Sequence, residues 1–213
     1  GISAALGWVG KGVHAVTDRS KFEGFVSAAG EGDPFGIEEI VWANKFKVEF
    51  PAATVNSAVH GCAFQTASLG DVQSGEPEVL VLARSAESSA AVWDRRRRAL
   101  KGFLSIVDAD ETHQVKQMIM YTPEKVVTLT RGARGWNVDV VRNPLGVVSV
   151  APLPYQYELS RPLGHSRITR AAMGYSDSAL RTIVRAEVSA EFYSAPEHVL
   201  FGADVSAFIG HDK

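Results

Sequence analysis

Regularly spaced β-prone segments between Glu78 and Pro152 constrain the fold of this chain more than any other feature. Six runs rich in β-branched and aromatic residues are separated by breaks rich in polar residues, glycine or proline: VLVLAR, AAVWD, LKGFLSIV, VKQMIMYT, KVVTLTR and WNVDVVR. Such runs and breaks are typical of short strands joined by turns. The pattern predicts an antiparallel meander or sandwich, with hairpins at TPE and GARG.

Helical patterns precede this strand-rich zone. We expect an amphipathic helix over residues 7–19, with Val9, Val13 and Val16 on one side. Two further helices are predicted to begin at proline residues and to be followed by a strand. The first starts at Pro34 with Asp33 as its cap; the second starts at Pro51, stops near Gly61 and leads into a strand from Cys62.

A single long helix is predicted to follow the strands. The linker VAPLPYQYELSRPLGH contains prolines that exclude a helix, and Ser166 is a good N-cap for a helix that ends near Ser194, roughly 40 Å away. The fold class is therefore α+β: a helical N-terminal part, an antiparallel β-meander or sandwich, then one long C-terminal helix.

This last helix separates small and aromatic residues from charged residues. One side carries Ile168, Ala172, Tyr175, Ala179, Ala186, Ala190 and Tyr193, and nearly the opposite side carries Arg170, Asp177, Arg181 and Arg185. Asp177 and Arg181 are spaced as a favourable pair, whereas Glu187 and Glu191 repel each other unless another chain supplies positive charge. The residues alone leave two interpretations open: a solvated face, or a helix packed among copies of itself.

Composition excludes several classes of protein. The 213 residues have a net charge of −2, which gives no global attraction to nucleic acid or acidic membranes. Cys62 is the only cysteine, so an internal disulfide framework is excluded and a reducing compartment is favoured. No apolar run approaches the roughly 20 residues that span a bilayer. The chain has no initiator Met and no signal-peptide pattern, and we expect a piece of a longer protein.

Three segments are candidates for chemistry, and each has a simpler explanation that we favour. The segment DADETH (Asp108, Asp110, Glu111 and His113) has the residue types of a hard-metal or acid/base cluster, but not the glycine and spacing of a calcium loop. His60 and Cys62 would share a strand face, yet nothing in the sequence orients the histidine. The basic run Asp94–Arg98 is expected to be a solvated turn rather than a phosphate site. We therefore expect no catalytic residue, no cofactor and no metal.

Four segments together resemble portal proteins of tailed bacteriophages, in the form found in phages and prophages of actinobacteria. They are LGWVGKGVHAVTDRSKFEGF, NSAVHGCAF, VWDRRRRALKG and RPLGHSRITRAAMGYSDSALRTIVRAEVSAEFYSAPEHVLFGAD. In the last, the matching positions are Arg161, Pro162, Gly164, Ser166, Ile168, Arg170, Asp177, Ala179, Arg181, Thr182, Arg185, Glu187 to Phe192, Pro196 and Gly202 to Asp204. Gly12 and His14 depart from the family's first helix. Portal subunits are also much longer, so we expect the second stem helix and most of the clip region to be missing.

The resemblance implies a structural, non-enzymatic subunit. Residues 1–160 would form the wing domain, with helices in 1–60 and strands in 62–150, and residues 161–213 would form the first stem helix and the start of the clip region. Portal subunits assemble in the host cytoplasm into a ring, usually twelvefold, at one vertex of the virion capsid. The implied partners are further copies of the chain, major capsid and scaffolding proteins, the terminase large subunit, head-completion or adaptor proteins, and double-stranded DNA that passes without sequence specificity; no membrane is implied.

The resemblance also places the charged residues of the long helix at a subunit interface: Arg170, Asp177, Arg181, Arg185, Glu187 and Glu191. Because DNA must slide through a portal channel, strong phosphate contacts would be counterproductive. We expect the arginines to contact neighbouring subunits rather than to grip DNA. Two alternatives remain open: a small metal-dependent hydrolase or nuclease that uses the acidic segment 108–113, and a plain protein-interaction module.

Overall fold

The computed structural model of the chain describes residues 6–26, 28, 32–33, 35–194 and 202. Within these residues the helices are α1 (Trp8–Thr17), α2 (Ile37–Ala43), α3 (Phe46–His60) and α4 (Arg170–Ser194). The strands are β1 (Cys62–Leu69), β2 (Val79–Ser85), β3 (Ser89–Asp94), β4 (Ala99–Ala109), β5 (Val115–Tyr121), β6 (Lys125–Gly132), β7 (Gly135–Arg142) and β8 (Val150–Pro154). The predicted α+β class is confirmed, with helices first, antiparallel strands next and a long helix last.

The two helices predicted to begin at prolines begin elsewhere. α2 starts at Ile37 after Gly36, whose φ is 64°. The carboxylate of Asp33 still accepts a hydrogen bond of 2.7 Å from the backbone N–H of Glu38 in its first turn, and Pro34 lies outside the described residues. α3 starts at Phe46 and contains Pro51, so the start predicted at Pro51 was wrong.

Aromatic packing explains the earlier start of α3. The ring of Phe46 lies 4.8 Å from that of Phe22 and 5.6 Å from that of Phe50. Burial of several rings outweighs the cost of a proline beyond the first turn, which helix propensity alone cannot anticipate. The predicted end of the helix is confirmed, because Gly61 has a φ of 94° and donates its N–H to the Ser57 carbonyl.

The strands form two antiparallel sheets. The five-stranded sheet has the order β3-β4-β5-β6-β7, which confirms the predicted meander and its hairpins for five of the six runs. The first run, VLVLAR, is β2, which pairs with β1 instead and so was wrongly placed in the meander. The other sheet has the order β2-β1-β8, with Cys62 opposite Pro154 and Phe64 opposite Pro152. The start of the expected linker is thus strand β8. Its prolines are tolerated because β8 is an edge strand that pairs only with β1.

The main core lies where the two sheets face each other. Phe64 of β1, Phe103 of β4 and Tyr121 of β5 are buried there, with ring centroids 4.7 Å and 5.9 Å apart in succession. On the other side of the three-stranded sheet, the Ser57 hydroxyl of α3 donates to the Leu153 carbonyl of β8 at 2.6 Å. The two sheets and α3 therefore form one packed body, from which α4 extends.

The long helix begins at Arg170 rather than after Ser166. The Ser166 hydroxyl donates to the carbonyl of Val59 and accepts from the N–H of Ile168, so it closes a turn before the helix. The cap is Thr169, whose hydroxyl accepts from the N–H of Ala172 at 3.2 Å. The 25 residues of α4 span about 37 Å, and Ile168 lies outside the helix.

Candidate subunit interface

The start of α4 is fixed to the body of the protein by Arg167. Its backbone N–H donates to the carbonyl of Ala58 at the end of α3, over 2.8 Å. Its side chain donates from Nε to the carbonyl of Gly12 in α1, and from Nη1 to the hydroxyl of Tyr155, each over 2.7 Å. One residue thus connects the first, third and last helices to the segment that follows β8.

Close backbone approach between Gly61 and Gly164 holds the segment before α4 against α3. The Gly61 carbonyl accepts from the N–H of Tyr155 at 2.8 Å, and the Tyr155 carbonyl accepts from the N–H of His165 at 3.0 Å. A Cβ on Gly164 would lie 2.3 Å from the Tyr155 carbonyl oxygen, and its φ is 72°. Only glycine fits there without displacing the backbone.

Most of α4 has no packing partner in the described part of the chain. Ala172, which lies near Gly12 and Val13 of α1, and Ala179 are half-buried, and no residue of the helix is buried. Tyr175 and Tyr193 are each 77% exposed, although the pattern placed them on the apolar side, and Phe192 is 78% exposed. A helix in a folded protein gains most of its stability from packing of its apolar face. A helix this exposed therefore presents surface that suits a partner.

The charged side chains of α4 are all exposed. The set predicted at an interface is exposed throughout: Arg170, Asp177, Arg181, Arg185, Glu187 and Glu191. Asp177 and Arg181 do not form the salt bridge that their spacing predicts; among described residues, the ion pairs within 4.0 Å all involve histidine. An exposed pair gains little over solvation and loses side-chain entropy, which explains its absence.

The acidic segment 108–113 covers the end of β4 and a loop that is organised around Asp110. Its Oδ1 accepts hydrogen bonds from the N–H of Thr112 and of Gln114, each over 2.9 Å, and from the Thr112 hydroxyl over 2.6 Å. These bonds stabilise the carboxylate and lower the pKa of Asp110, the Thr112 hydroxyl having the largest effect. Among the residues that the structure describes, no group of three or more His, Cys, Asp or Glu side chains could hold a metal ion. Asp108 lies in β4, opposite Gln117, whereas Glu111 and His113 lie in the loop, and the three do not form such a cluster.

His60 and Cys62 do not form a nucleophilic pair. The thiol of Cys62 is buried, and burial raises its pKa to about 11. Nε2 of His60 instead faces Oε1 of Glu87 at 3.6 Å. A protonated, buried thiol is a poor nucleophile, because the thiolate is the reactive form.

The basic run forms the turn between β3 and β4. Oδ1 of Asp94 accepts from the N–H of Arg96 at 2.8 Å and of Arg97 at 3.0 Å. The N–H of Arg97 is the main cause of the lowered pKa of Asp94. All four arginine residues are exposed, as expected for a solvated turn.

Known proteins are similar in sequence to this chain along most of its length. No protein-family model matches the chain. A protein named portal protein from Mycobacterium phage D29 is 29% identical over 199 residues, and one of the same name from Mycobacterium phage L5 is 28% identical over 198 residues. Each alignment covers 89% of this chain. The chain is similar to phage portal proteins.

The predicted resemblance to portal proteins is thereby confirmed. The chain spans 40% of the length of these two portal proteins. Within the described residues, no helix is long and apolar enough to cross a membrane. Of the positions that carry the resemblance, Pro196, Ala203 and Asp204 lie outside the described residues.

Sequence reasoning missed the residues that hold α4 in place. Gly164 and Ser166 belong to the portal-like motif, but their role in docking the segment onto α3 was not predicted. Arg167 and Tyr155 were not singled out at all. The signal available was the segment RPLGHSR, in which a glycine between polar residues precedes a helix.

Proposed function

We propose that this chain is part of a portal subunit, the structural connector between head and tail of a tailed phage. The similarity to two portal proteins along 89% of the chain carries this proposal. A structural role also fits a chain whose candidate catalytic segments serve as turns or lie buried. On this proposal the protein works in the virion, at the portal vertex, after assembly in the cytoplasm of the bacterial host.

The helix α4 would be a stem helix that packs beside copies of itself. Residues 1–160 would then form the wing domain, and residues 161–213 the first stem helix and the start of the clip region. Exposed aromatic side chains near the end of α4, at Phe192 and Tyr193, support a packed environment in the assembly because large apolar groups are rarely left in water without a partner.

Neighbouring subunits would supply opposite charges for the charged side chains of α4. Arg181 and Arg185 lie on one side of the helix and Glu187 and Glu191 on another, all exposed. Side by side in a ring, the basic side of one helix would face the acidic side of the next. Such heterologous contacts close into rings when the rotation between copies permits it.

Double-stranded DNA would pass through the ring without being held. A duplex that must slide is slowed by each strong phosphate contact, because each contact has to be broken. Terminase, capsid, scaffolding and adaptor proteins are the partners that this role requires. The ring is expected to be twelvefold, as the resemblance implies.

The deciding experiment is imaging of the gene product that carries this chain. We expect negative-stain microscopy and mass photometry to show closed rings of about a dozen copies, the stoichiometry that the resemblance implies. A stable monomer or a twofold dimer at micromolar concentration would contradict the proposal. Saturable, metal-dependent cleavage of DNA by the same sample would instead favour the hydrolase alternative.

A further inference from the structure

The outer face of the five-stranded sheet is apolar across strands β4 to β7. Strand register aligns Leu104, Met120, Val127 and Val140 in one cross-strand row, and Ile106, Met118, Leu129 and Val138 in the next. The opposite face carries Phe103, Ile119, Tyr121 and Val126, which belong to the main core or pack against it. The residues of the two rows do not belong to that core. We call the surface formed by the two rows the outer sheet face.

This outer sheet face is incompletely covered by the described chain. Val127 at its centre is buried, but Val138 and Val140 of the edge strand β7 are 58% and 54% exposed, and every residue of β7 is exposed. No described helix packs on β4–β7 as α3 does on β1 and β2. A contiguous apolar patch that stays exposed marks a surface of contact with another protein. This face therefore has the properties of a contact surface.

The charges on the outer sheet face of β5, β6 and β7 are all basic. Alternation along the strands places Lys116, Lys125, Arg131 and Arg142 on this face, at the two ends of the apolar rows. Lys125 and Arg142 lie directly opposite each other in the register. Like charges in that relation destabilise a sheet unless acidic groups approach them. The surface that covers this face should therefore be apolar with an acidic rim.

The same chain carries a surface of that kind on α2. Trp42 is 85% exposed, Phe35 76% and Val48 69%, and they line one groove of about 1360 Å³. Glu38 and Glu39 lie beside them on α2. The charged residues that line the groove are Glu23, Asp33, Glu38, Glu39, Lys45 and Lys47, so acidic groups predominate. We call Phe35, Trp42, Val48, Glu38 and Glu39 the α2 surface.

We propose that the α2 surface of one copy docks on the outer sheet face of the next copy. Trp42 would lie on the rows that contain Val138 and Val140, and Glu38 and Glu39 would approach Lys125 and Arg142. An exposed tryptophan with aromatic and aliphatic neighbours is the usual anchor of a protein interface. Charge complementarity selects another copy of this chain over a generic apolar partner.

This contact is head-to-tail, because it joins two different surfaces of the same chain. Repeated contacts of that type generate a ring or an open helix, whereas a twofold contact ends at a dimer. The inference rests on the proposed ring-forming function and adds a second interface, remote in sequence from α4. It locates this interface in the helical and strand-rich parts of the chain.

Pairwise crosslinking tests the contact in the gene product that carries this chain. Two variants with one added cysteine each, Trp42→Cys and Val138→Cys, are mixed during assembly and treated with a short bismaleimide. The native Cys62 stays silent because it is buried and its pKa is about 11. We expect a crosslinked dimer only when both variants are present. A product formed by Val138→Cys alone would show a twofold contact and overturn the proposal.

Two matched controls define the surface. Asp139→Cys lies beside Val138 on the same exposed strand but on its other face, and should give no product with Trp42→Cys. Val72→Cys is exposed and lies on a separate turn, and should give no product with Val138→Cys. Equal crosslinking by the controls would also overturn the proposal. So would a crosslink within a single chain in the double variant Trp42→Cys/Val138→Cys.

Charge reversal is an independent test of the proposed contact. The variant Lys125→Glu/Arg142→Glu should lower the crosslinking yield about three- to tenfold, and Glu38→Lys/Glu39→Lys in the partner copy should restore it. Microscopy of the same samples separates the two proposals. Rings without the Trp42–Val138 product would overturn this contact and leave the portal function standing; the product without rings would support the contact and count against the portal ring.

Discussion

Nε of Arg167 donates a 2.7 Å hydrogen bond to the carbonyl oxygen of Gly12, across 155 residues of sequence. The same guanidinium reaches the hydroxyl of Tyr155, also at 2.7 Å. Because α4 contacts the rest of the described chain mainly through α1, this residue fixes how the long helix leaves the body. The side chain of Arg167 therefore adds to the backbone hydrogen bonds that hold the start of α4 on the body.

Loss of this side chain should loosen α4 from α1. We expect Arg167→Ala to lower the free energy of unfolding by about 1–3 kcal/mol, as for other hydrogen bonds to charged groups. Arg167→Lys should recover only part of this, because an ammonium cannot reproduce the planar fork that spans both acceptors. Urea denaturation of the 213-residue chain measures the effect. Arg170→Ala, exposed and without these bonds, is the control; an equal loss in both variants would contradict the prediction.

Gly164 should tolerate no side chain. In Gly164→Ala the new Cβ would lie 2.3 Å from the carbonyl oxygen of Tyr155 and 2.4 Å from that of Gly61. The backbone must then separate from α3, and hydrogen bonds at Tyr155 and His165 are lost. We expect a loss of about 3 kcal/mol or more, measured by thermal or urea denaturation.

The variant Gly146→Ala is the control that separates the cost of the steric clash at Gly164 from the cost of its left-handed backbone conformation. Gly146 has a φ of 67°, close to the 72° of Gly164, but a Cβ there meets nothing within 4 Å. It should cost only about 1–2 kcal/mol, the penalty of the left-handed conformation. If both substitutions reduced stability equally, close packing at Gly164 would not be the cause.

Local patterns predicted the meander well because each strand alternates with strong turn chemistry. The turn at Asp94, for example, is closed by the carboxylate that the sequence displays. The pairing of β8 with β1 was not predictable, since it joins Cys62 to Pro154 across a long separation and uses a proline-rich strand. The start of α3 at Phe46 depends on packing with Phe22, which propensity does not contain.

The candidate interface was predictable only in part, for a similar reason. Helical spacing places Arg181 and Arg185 on one exposed side, as the structure has them. The anchoring of α4 through Arg167 depends on acceptors in α1 and after β8, so no local pattern reveals it.

The buried thiol of Cys62 should make stability depend on alkaline pH. Its pKa is raised from 9.0 to about 11 in the folded chain, so the unfolded chain loses this proton first as pH rises. The contribution is fully present below pH 9 and is lost between about pH 9 and 11, by about 2 kcal/mol. Burial raises the pKa of Tyr121 too, which acts in the same direction.

Denaturation curves of the wild-type chain and Cys62→Ala between pH 8 and 11 isolate the thiol, a range set by the pKa of 9.0 and its raised value of about 11. The variant should show a shallower decline, whatever its stability at neutral pH, because the Cys62 contribution is absent. In the wild type, thiol reagents should react with Cys62 only after unfolding. Identical pH slopes in the two proteins would contradict the assignment.

Metal titration tests the hydrolase alternative directly. Asp110 already directs its carboxylate to Thr112 and Gln114, and the described residues contain no cluster of ligands around it. We expect calorimetry with Mg²⁺, Mn²⁺ or Zn²⁺ to show no saturable binding to the wild-type chain that depends on Asp110. The wild type and Asp110→Asn should therefore give the same titration curves. Micromolar binding that is lost in this variant would reopen the alternative.

Charge reversal on α4 should prevent assembly without unfolding the chain. Arg181 and Arg185 are exposed and make no ion pair within the described residues, so Arg181→Glu/Arg185→Glu should change the free energy of unfolding by less than about 1 kcal/mol. In a ring, the same change would place two acidic groups of one helix against Glu187 and Glu191 of the next helix. Mass photometry of the gene product should then show subunits in place of rings.

The control is Arg95→Glu/Arg96→Glu, in the solvated turn before β4, which makes the same change of charge and should leave rings intact. Intact rings in the α4 variant, with only DNA binding reduced, would mean that these arginines face the channel and not a neighbouring subunit.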